Sequence, residues 1–306
     1  MYPQSVLSNL RELDISLNVD GLPLFKSSCL SLWPVLCKIN LSPYSVFPFA
    51  LCCGTSKPSD LEFLDNVVRD LCNLMENGLD FGNEKIKVTL CCVTCDAPAK
   101  ALVKSIKQYS GYYGCDKCTQ KGLWDGHHVI YPDVSNLNLR TDRSFREKTQ
   151  EEHHLLSDGS PFCQLPIDMI KQFPIDYMHQ CCLGVMRKLV ILWLRGPKGI
   201  RLSSGQIKEV SSRLVALRPS IPAVFARKPR CLEEIDRWKA TELRQFALYT
   251  GKIVLNGLIP SRLFDHFMLF SVALSILVSP ALAQKYNFYA EELLTFFVKQ
   301  GELLYG

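Results

Sequence analysis

The chain has 306 residues, of which 47% are hydrophobic and 21% are charged. This composition predicts a globular protein with a sizeable core, built as one large domain or as one domain with an insertion, and it excludes a disordered polar chain. The formal net charge of +5 suits a polyanionic partner but is common among enzymes. Charge alone therefore does not establish nucleic-acid binding.

Targeting signals and membrane segments are not expected from the sequence. The first ten residues lack the basic start and apolar run of a signal peptide, and the fourteen cysteines are only about one residue in twenty. We therefore predict a reducing compartment with free thiols. The uncharged stretch 267–283 is shorter than a membrane span and contains Pro280, which predicts a buried helix and no membrane partner.

The first part of the chain has the alternation of apolar and polar residues that is typical of strands. Apolar Ile15, Leu17 and Val19 alternate with polar residues, and Asp20 follows at the end of this strand. Two further apolar runs, 29–39 and 46–53, are separated by turn-forming residues. These three segments predict an antiparallel meander.

A helix and a buried strand are expected next. Leu61 to Met75 has apolar residues at helical spacing, with Ser59 or Asp60 as the predicted cap. The nearly continuous apolar run 86–95 predicts a strand buried on both faces. Asp96 follows this strand, and Ala97-Pro98 is predicted to open a helix that runs to about Gln108.

This α/β order places Asp20 and Asp96 at the ends of strands that can be adjacent in the sheet. Two carboxylates at strand ends can bind Mg²⁺ and support metal-assisted phosphoryl transfer. Aspartate also caps turns and helices at strand exits, and spacing alone does not decide between the two roles.

A Cys-x-x-Cys pair lies in the glycine-rich loop 111–118, where Cys115 and Cys118 can face one Zn²⁺ ion. A redox pair or an incidental spacing are the alternatives. His179, which follows Asp176 at i+3, is a candidate to bind or orient a metal, and the alternative is a capping Asp with a partly buried His at the start of an apolar helix. The other histidines considered are two His-His pairs that we predict to be solvated. These pairs are His127-His128 and His153-His154.

Three lysines, Lys100, Lys104 and Lys107, share one face of the helix predicted after Asp96 and are candidates for contacts with nucleic-acid phosphates. Simple solvation is the alternative for an exposed lysine face. Tyr109, Tyr112 and the adjacent Tyr113 are expected either to stack on bases or to pack around the cysteine loop.

Long helical patterns dominate the second half of the chain, after a polar stretch from 140 to 154 that we expect to be helical or partly disordered. The predicted helices cover 178–194, 204–217, 231–249 and 260–277, and a further amphipathic helix covers 289–305.

Several motifs, in this order, resemble those of CACTA (En/Spm) and Chapaev-like DNA transposases and their animal transposase domain-containing relatives. They are the stretch 18–28 with Leu32-Trp33-Pro34, the segment 95–100, the loop 111–118, Asp176-Tyr177-Met178-His179 with Leu183-Gly184-Val185, and Trp238-Lys239-Ala240-Thr241-Glu242.

The resemblance implies an α/β fold, with a ribonuclease H-like mixed-sheet core and a large, mostly helical insertion. Asp20 and Asp96 match the first two acids of an Asp-Asp-Glu triad that binds two Mg²⁺ or Mn²⁺ ions for DNA strand cleavage and transfer. Residues 1–112 would form the first part of the core, 113–160 the zinc-type loop and polar connection, and 161–306 the insertion region. Structural Zn²⁺ is expected at Cys115 and Cys118.

The third acid and the His pair that completes the zinc site in this family are not recognisable in the chain, so we expect it to be inactive by itself. Candidate third acids are Glu242, Glu291, Glu292 and Glu302, none of them favoured. The alternative is a non-catalytic, zinc-stabilised module that binds DNA or protein. The resemblance further implies a nuclear protein that binds transposon ends, and it is compatible with a homo-oligomer.

Overall fold

The computed structural model describes residues 10–25, 29–55, 58, 61–82, 84–155 and 159–305. The chain forms two compact units, residues 1–176 and residues 177–306. The first contains a mixed sheet with helices and the second is helical, so the mixed α/β class predicted from sequence is confirmed. The caps predicted at Ser59 or Asp60 lie outside the described residues.

A mixed sheet forms the centre of the first unit. Its strands are β1 (Glu12–Val19), β2 (Leu22–Pro23), β3 (Ser31–Ile39), β4 (Ser45–Gly54), β5 (Leu79–Phe81) and β6 (Glu84–Thr94). Strand β3 pairs antiparallel with both β1 and β4, as expected for the meander, whereas β6 pairs parallel with β1. The spatial order is therefore β4, β3, β1, β6 and β5.

Helix α1 (Glu62–Asn77) packs on the sheet through Leu64, Val68 and Leu71, which are almost fully buried. Full burial of such side chains stabilises the fold by about 1.5–3 kcal/mol each. The helix ends at Gly78. Glycine is required there because φ is +71° and a Cβ atom would lie 2.8 Å from the carbonyl oxygen of Ile86.

Strand β6 differs from the prediction of a strand that is buried on both faces. Ile86, Val88 and Leu90 point into the core, whereas Lys87 and Cys91 are exposed. Only one face of the strand is fully covered by the described residues. The run resembles a doubly buried strand because it contains almost no charged residues. Its cysteines and threonines, however, also suit a strand face that is partly exposed to solvent.

The remaining segments of the first unit are short. They are helix α2 (Ala97–Val103), the hairpin of β7 (Leu123–Trp124) and β8 (Val129–Ile130), and helix α3 (Asp142–Arg146). Helix α2 ends earlier than predicted, and Ser105 then adopts a φ of +54°. Residues 161–176 belong to the first unit, because Phe162, Leu165 and Phe173 are buried in its core.

The second unit is a set of helices around the rings of Trp193, Phe246 and Phe267, whose centroids are about 6 Å apart. A π-helix (Met178–Met186) leads into α4 (Arg187–Arg195), and α5 (Ser204–Ala216) follows. The other helices are α6 (Ala240–Gln245), a second π-helix (Phe246–Thr250), α7 (Gly251–Val254), α8 (Ser261–Leu277) and α9 (Pro280–Tyr305). Within the described parts of the chain, none of the helices is both long and apolar enough to span a membrane.

The helix predicted over 231–249 is interrupted. Residues Leu232–Arg237 form a 3₁₀ segment, and Trp238 is extended before α6 begins. The indole Nε1 of Trp238 donates to the carbonyl oxygen of Cys231 at 3.1 Å. This tertiary contact holds a bend where the apolar spacing by itself favours a continuous helix.

Candidate metal centre

The two predicted acids follow neighbouring parallel strands. Asn18 of β1 lies opposite Thr94 of β6 in the parallel ladder, and Asp20 and Asp96 each come two residues later. The amide Nδ2 of Asn18 donates to the backbone oxygen of Thr94 at 3.2 Å and lies 3.3 Å from its hydroxyl. Since paired strands are about 4.8 Å apart, the backbones of the two acids leave the sheet side by side.

The turn after β1 fixes the position of Asp20. The Oδ1 atom of Asp20 accepts a hydrogen bond from the backbone N–H of Gly21 at 2.8 Å. Gly21 lies against the ring of Trp33, so that a Cβ atom would approach the ring to 2.7 Å. Glycine is therefore needed for the chain to pass Trp33 without displacing Asp20.

Asp96 caps helix α2. Its Oδ1 accepts a hydrogen bond from the backbone N–H of Ala99 at 2.7 Å, and Pro98 lies in the first helical turn. The capping role left open by the sequence is thus present at Asp96. A carboxylate with one oxygen in a cap can still bind a cation through the other oxygen, so capping and metal binding are compatible.

The thiol of Cys95 is close enough to both acids for their charges to affect its pKa. Its side chain is buried, and burial raises the pKa of this thiol to about 12, with the carboxylates of Asp96 and Asp20 acting in the same direction. Lys100 opposes this shift. Cys95 is therefore a neutral thiol at pH 7, and the negative charge beside it belongs to the acids.

The prediction of an exposed phosphate-binding lysine face is wrong for Lys100 and Lys104, which are buried. The ammonium groups of both lysines lie near the carboxylate of Asp116, with which Lys104 forms an ion pair. Lys100 also donates to the carbonyl oxygen of Pro174. Burial lowers the pKa of Lys104 to about 8, although Asp116 opposes this shift. Of the three predicted lysines only Lys107 is exposed, and it lies beyond the end of α2.

The cysteine loop is held in a defined geometry. Cys115 and Cys118 have their Sγ atoms 3.3 Å apart, and the backbone N–H of Cys118 points at the sulfur of Cys115 at 3.4 Å. Gly114 is required because a Cβ there would collide with the carbonyl oxygen of Gln108. Two thiols at this separation can bind one tetrahedral Zn²⁺ ion, and supply half of its ligands.

The structure corrects the prediction for one His-His pair. His153 is fully buried and His154 is half-buried, whereas His127 and His128 are exposed as predicted. The Nδ1 atom of His153 lies 2.6 Å from the carbonyl oxygen of Tyr113. Burial lowers the pKa of His153 to about 4, so that a neutral ring donates from Nδ1 and leaves a buried Nε2 without a hydrogen-bond partner among the described residues.

No sequence signal indicated the burial of His153, because it lies in a polar stretch without apolar periodicity. The short helix α3 and its capping box from Thr141 fold this stretch back onto the cysteine loop. Arg140 completes the contact by donating from Nε to the carbonyl oxygen of Cys115 at 3.1 Å.

His179 and its neighbours differ from the predicted α-helical arrangement. The helix that contains His179 is a π-helix that starts at Met178, so Asp176 precedes it and the i, i+3 argument does not apply. Gly184 allows this geometry, because a Cβ atom would lie 2.9 Å from the carbonyl oxygen of His179. His179 is half-buried in the second unit, whereas Cys115 and Cys118 belong to the first.

Complete metal sites are not formed by the described residues, among which no three His, Cys, Asp or Glu side chains converge on one point. Glu242 is not a free third acid: it is buried, and both carboxylate oxygens bind Arg230. Glu291, Glu292 and Glu302 are exposed on α9 in the second unit. Of the predicted ligands, the described residues of the first unit therefore provide two partial sites, the acids Asp20 and Asp96 and the thiols Cys115 and Cys118.

Comparison with known proteins adds no relative. The chain matches no protein-family model, and no curated protein is significantly similar to it in sequence. The resemblance to transposases therefore depends on the short motifs, and the site has to be interpreted from its own geometry.

Proposed function

We propose that the first unit is the front part of a ribonuclease H-like catalytic domain of a DNA transposase, with Asp20 and Asp96 as two of its metal ligands. The observation that carries this proposal is the parallel pairing of β1 and β6, which brings both acids to the same edge of the sheet. The strand order β4, β3, β1, β6 supports it. A ribonuclease H-like sheet likewise has three antiparallel strands, a helix and then a strand parallel to the first.

Mg²⁺ or Mn²⁺ bound at this edge would activate water and stabilise the leaving oxygen of a phosphodiester. The contribution of the chain's own residues is to hold the two carboxylates in place. Gly21 and the α2 cap hold one oxygen of each carboxylate, and the neutral thiol of Cys95 adds no further charge near them. The described residues supply no third acid for the centre, so we expect cation binding without efficient strand cleavage.

Mn²⁺ binding by calorimetry tests this proposal. Asp20→Asn and Asp96→Asn retain a side-chain oxygen for the Gly21 and Ala99 hydrogen bonds but remove the charge. Each should weaken Mn²⁺ binding at least about tenfold. Asp14→Asn is the matched control, because Asp14 is an exposed acid on the same strand, β1. Equal binding by all three variants would overturn the proposal.

A second candidate is a non-catalytic module stabilised by Zn²⁺ at Cys115 and Cys118. The close approach of the two sulfur atoms favours it. Zinc content after dialysis tests this candidate. Cys115→Ser and Cys118→Ser should lose the metal, whereas Cys91→Ser, at an exposed cysteine of β6, should retain it. Metal retained by both loop variants would argue against it.

A further inference from the structure

The positive charge of the chain is concentrated in one segment of the second unit. Residues 177–232 carry eleven Lys and Arg side chains and a single acid, Glu209, whereas the remaining 250 residues carry 24 basic and 29 acidic side chains. The whole net charge of +5 therefore originates in this segment. Such an excess leaves cations that intramolecular ion pairs cannot neutralise.

An ion pair between the partly exposed Arg230 and the buried Glu242 joins the end of this segment to the residues that follow it. Arg230 binds both carboxylate oxygens of Glu242 at 2.6 Å, and it also donates to the carbonyl oxygen of Arg237 at 2.6 Å. Glu242 in turn accepts from the backbone N–H of Lys239 at 2.8 Å. These contacts bring together two stretches of chain that carry exposed cations. We refer to Arg227, Lys228, Arg237 and Lys239 as the cationic cluster.

The carboxylates around the cationic cluster are already used by other groups. Glu233 accepts from the hydroxyl of Ser211 at 2.7 Å, and Glu234 lies 3.6 Å from Arg230. Asp236 pairs with Arg195 at 2.6 Å. The four side chains of the cationic cluster are exposed and form no ion pair with any residue that the structure describes.

An aromatic residue precedes the cluster in the chain and packs against a second one. Phe225, two residues before Arg227, packs edge-on against Tyr249 with ring centroids 5.5 Å apart, and Tyr249 is 47% exposed. A partly exposed aromatic ring in the same unit as the exposed cations suits a ligand that carries flat bases as well as phosphates. A purely anionic surface would use only the cations.

We propose that the cationic cluster binds the phosphate backbone of nucleic acid. Phosphates are closely spaced anions that four exposed cations, with no ion pair among the described residues, can neutralise together, with release of bound counterions. This interaction is expected to depend little on sequence, because backbone contacts position a protein without identifying bases. The inference stands on the charges of the second unit and does not require the acid pair at Asp20 and Asp96.

Fluorescence anisotropy with a labelled DNA duplex of mixed sequence, in EDTA and over a series of NaCl concentrations, tests the inference. Arg227→Gln/Lys228→Gln and Arg237→Gln/Lys239→Gln should each weaken binding at least about tenfold and reduce the slope of log K against log salt by about 2. Lys285→Gln/Lys299→Gln is the matched control, since both lysines are exposed on α9. Circular dichroism confirms that each variant is folded.

Unchanged DNA binding by both cluster variants, or an equal loss in the α9 control, would overturn the inference. The inference would also be overturned if the cluster variants lost binding to phosphatidylserine vesicles but still bound DNA. That result would indicate a membrane surface as the partner. EDTA removes any cation from Asp20 and Asp96, so the anisotropy does not depend on metal binding by the acid pair. Failure of the acid-pair proposal is therefore distinguishable from failure of this one.

Discussion

The hydroxyl of Thr94 donates to the carbonyl oxygen of Leu17 at 3.0 Å, across the parallel pair β1–β6 and immediately before the two acids. This side-chain hydrogen bond supports the end of the β1–β6 ladder, where the backbone pairing between the two strands stops at Asn18 and Thr94. The separation of Asp20 and Asp96 therefore depends on Thr94 as well as on the backbone.

Thr94→Val should reduce the free energy of unfolding by about 1 kcal/mol, because one part-buried hydrogen bond is lost. It should also weaken Mn²⁺ binding several-fold, because the two acids lose part of their support. Urea unfolding and calorimetry measure the two effects. Thr89→Val, which removes the exposed contact of the same strand with Asp14, should leave Mn²⁺ binding unchanged. Equal Mn²⁺ affinities in both variants would show that Thr94 does not position the acids.

Glu242→Gln should reduce the free energy of unfolding at pH 7 by about 2 kcal/mol, since it removes one charge of a buried pair. Burial alone would raise the pKa of Glu242, but the bonds from Arg230 and from the Lys239 N–H outweigh it and lower the pKa. The stabilisation is therefore present above the unfolded pKa and is lost as pH falls through the folded value. Urea unfolding should show the difference between parent and variant shrinking below about pH 4. A difference that stays constant with pH would contradict this assignment.

The acid pair and the lysines show how far sequence could predict this molecule. Local patterns were sufficient for β1, α1 and the placement of Asp20 and Asp96, because alternation, helical spacing and strand ends are local properties. Local patterns did not predict the burial of side chains that depends on a group distant in sequence. Lys104 is buried because Asp116, in the cysteine loop, neutralises its charge. His153 is buried through Tyr113, forty residues earlier in the chain. Neither contact leaves a periodic signal.

Lys104→Met should change how stability depends on alkaline pH. Burial lowers the pKa of Lys104 in the folded state to about 8, whereas the unfolded state retains a value of about 10.4. The unfolded state binds more protons between these values, so the parent gains stability as pH rises through this window. Relative to Lys104→Met, the parent should gain up to about 3 kcal/mol between pH 8 and pH 10.4 in urea unfolding. Parallel profiles for the two proteins would contradict the assignment.

His153 should control stability on the acid side. Its folded-state pKa is lowered by burial to about 4, below the unfolded value of about 6.5, so the unfolded state takes up a proton first as pH falls. The parent should therefore lose up to about 3 kcal/mol between pH 6.5 and pH 4. His153→Gln can still donate to the carbonyl oxygen of Tyr113 but does not titrate, so its stability should fall less over this range. His128→Gln, at an exposed histidine, is the matched control and should follow the parent. If His153→Gln also follows the parent in urea unfolding, another group carries the acid sensitivity.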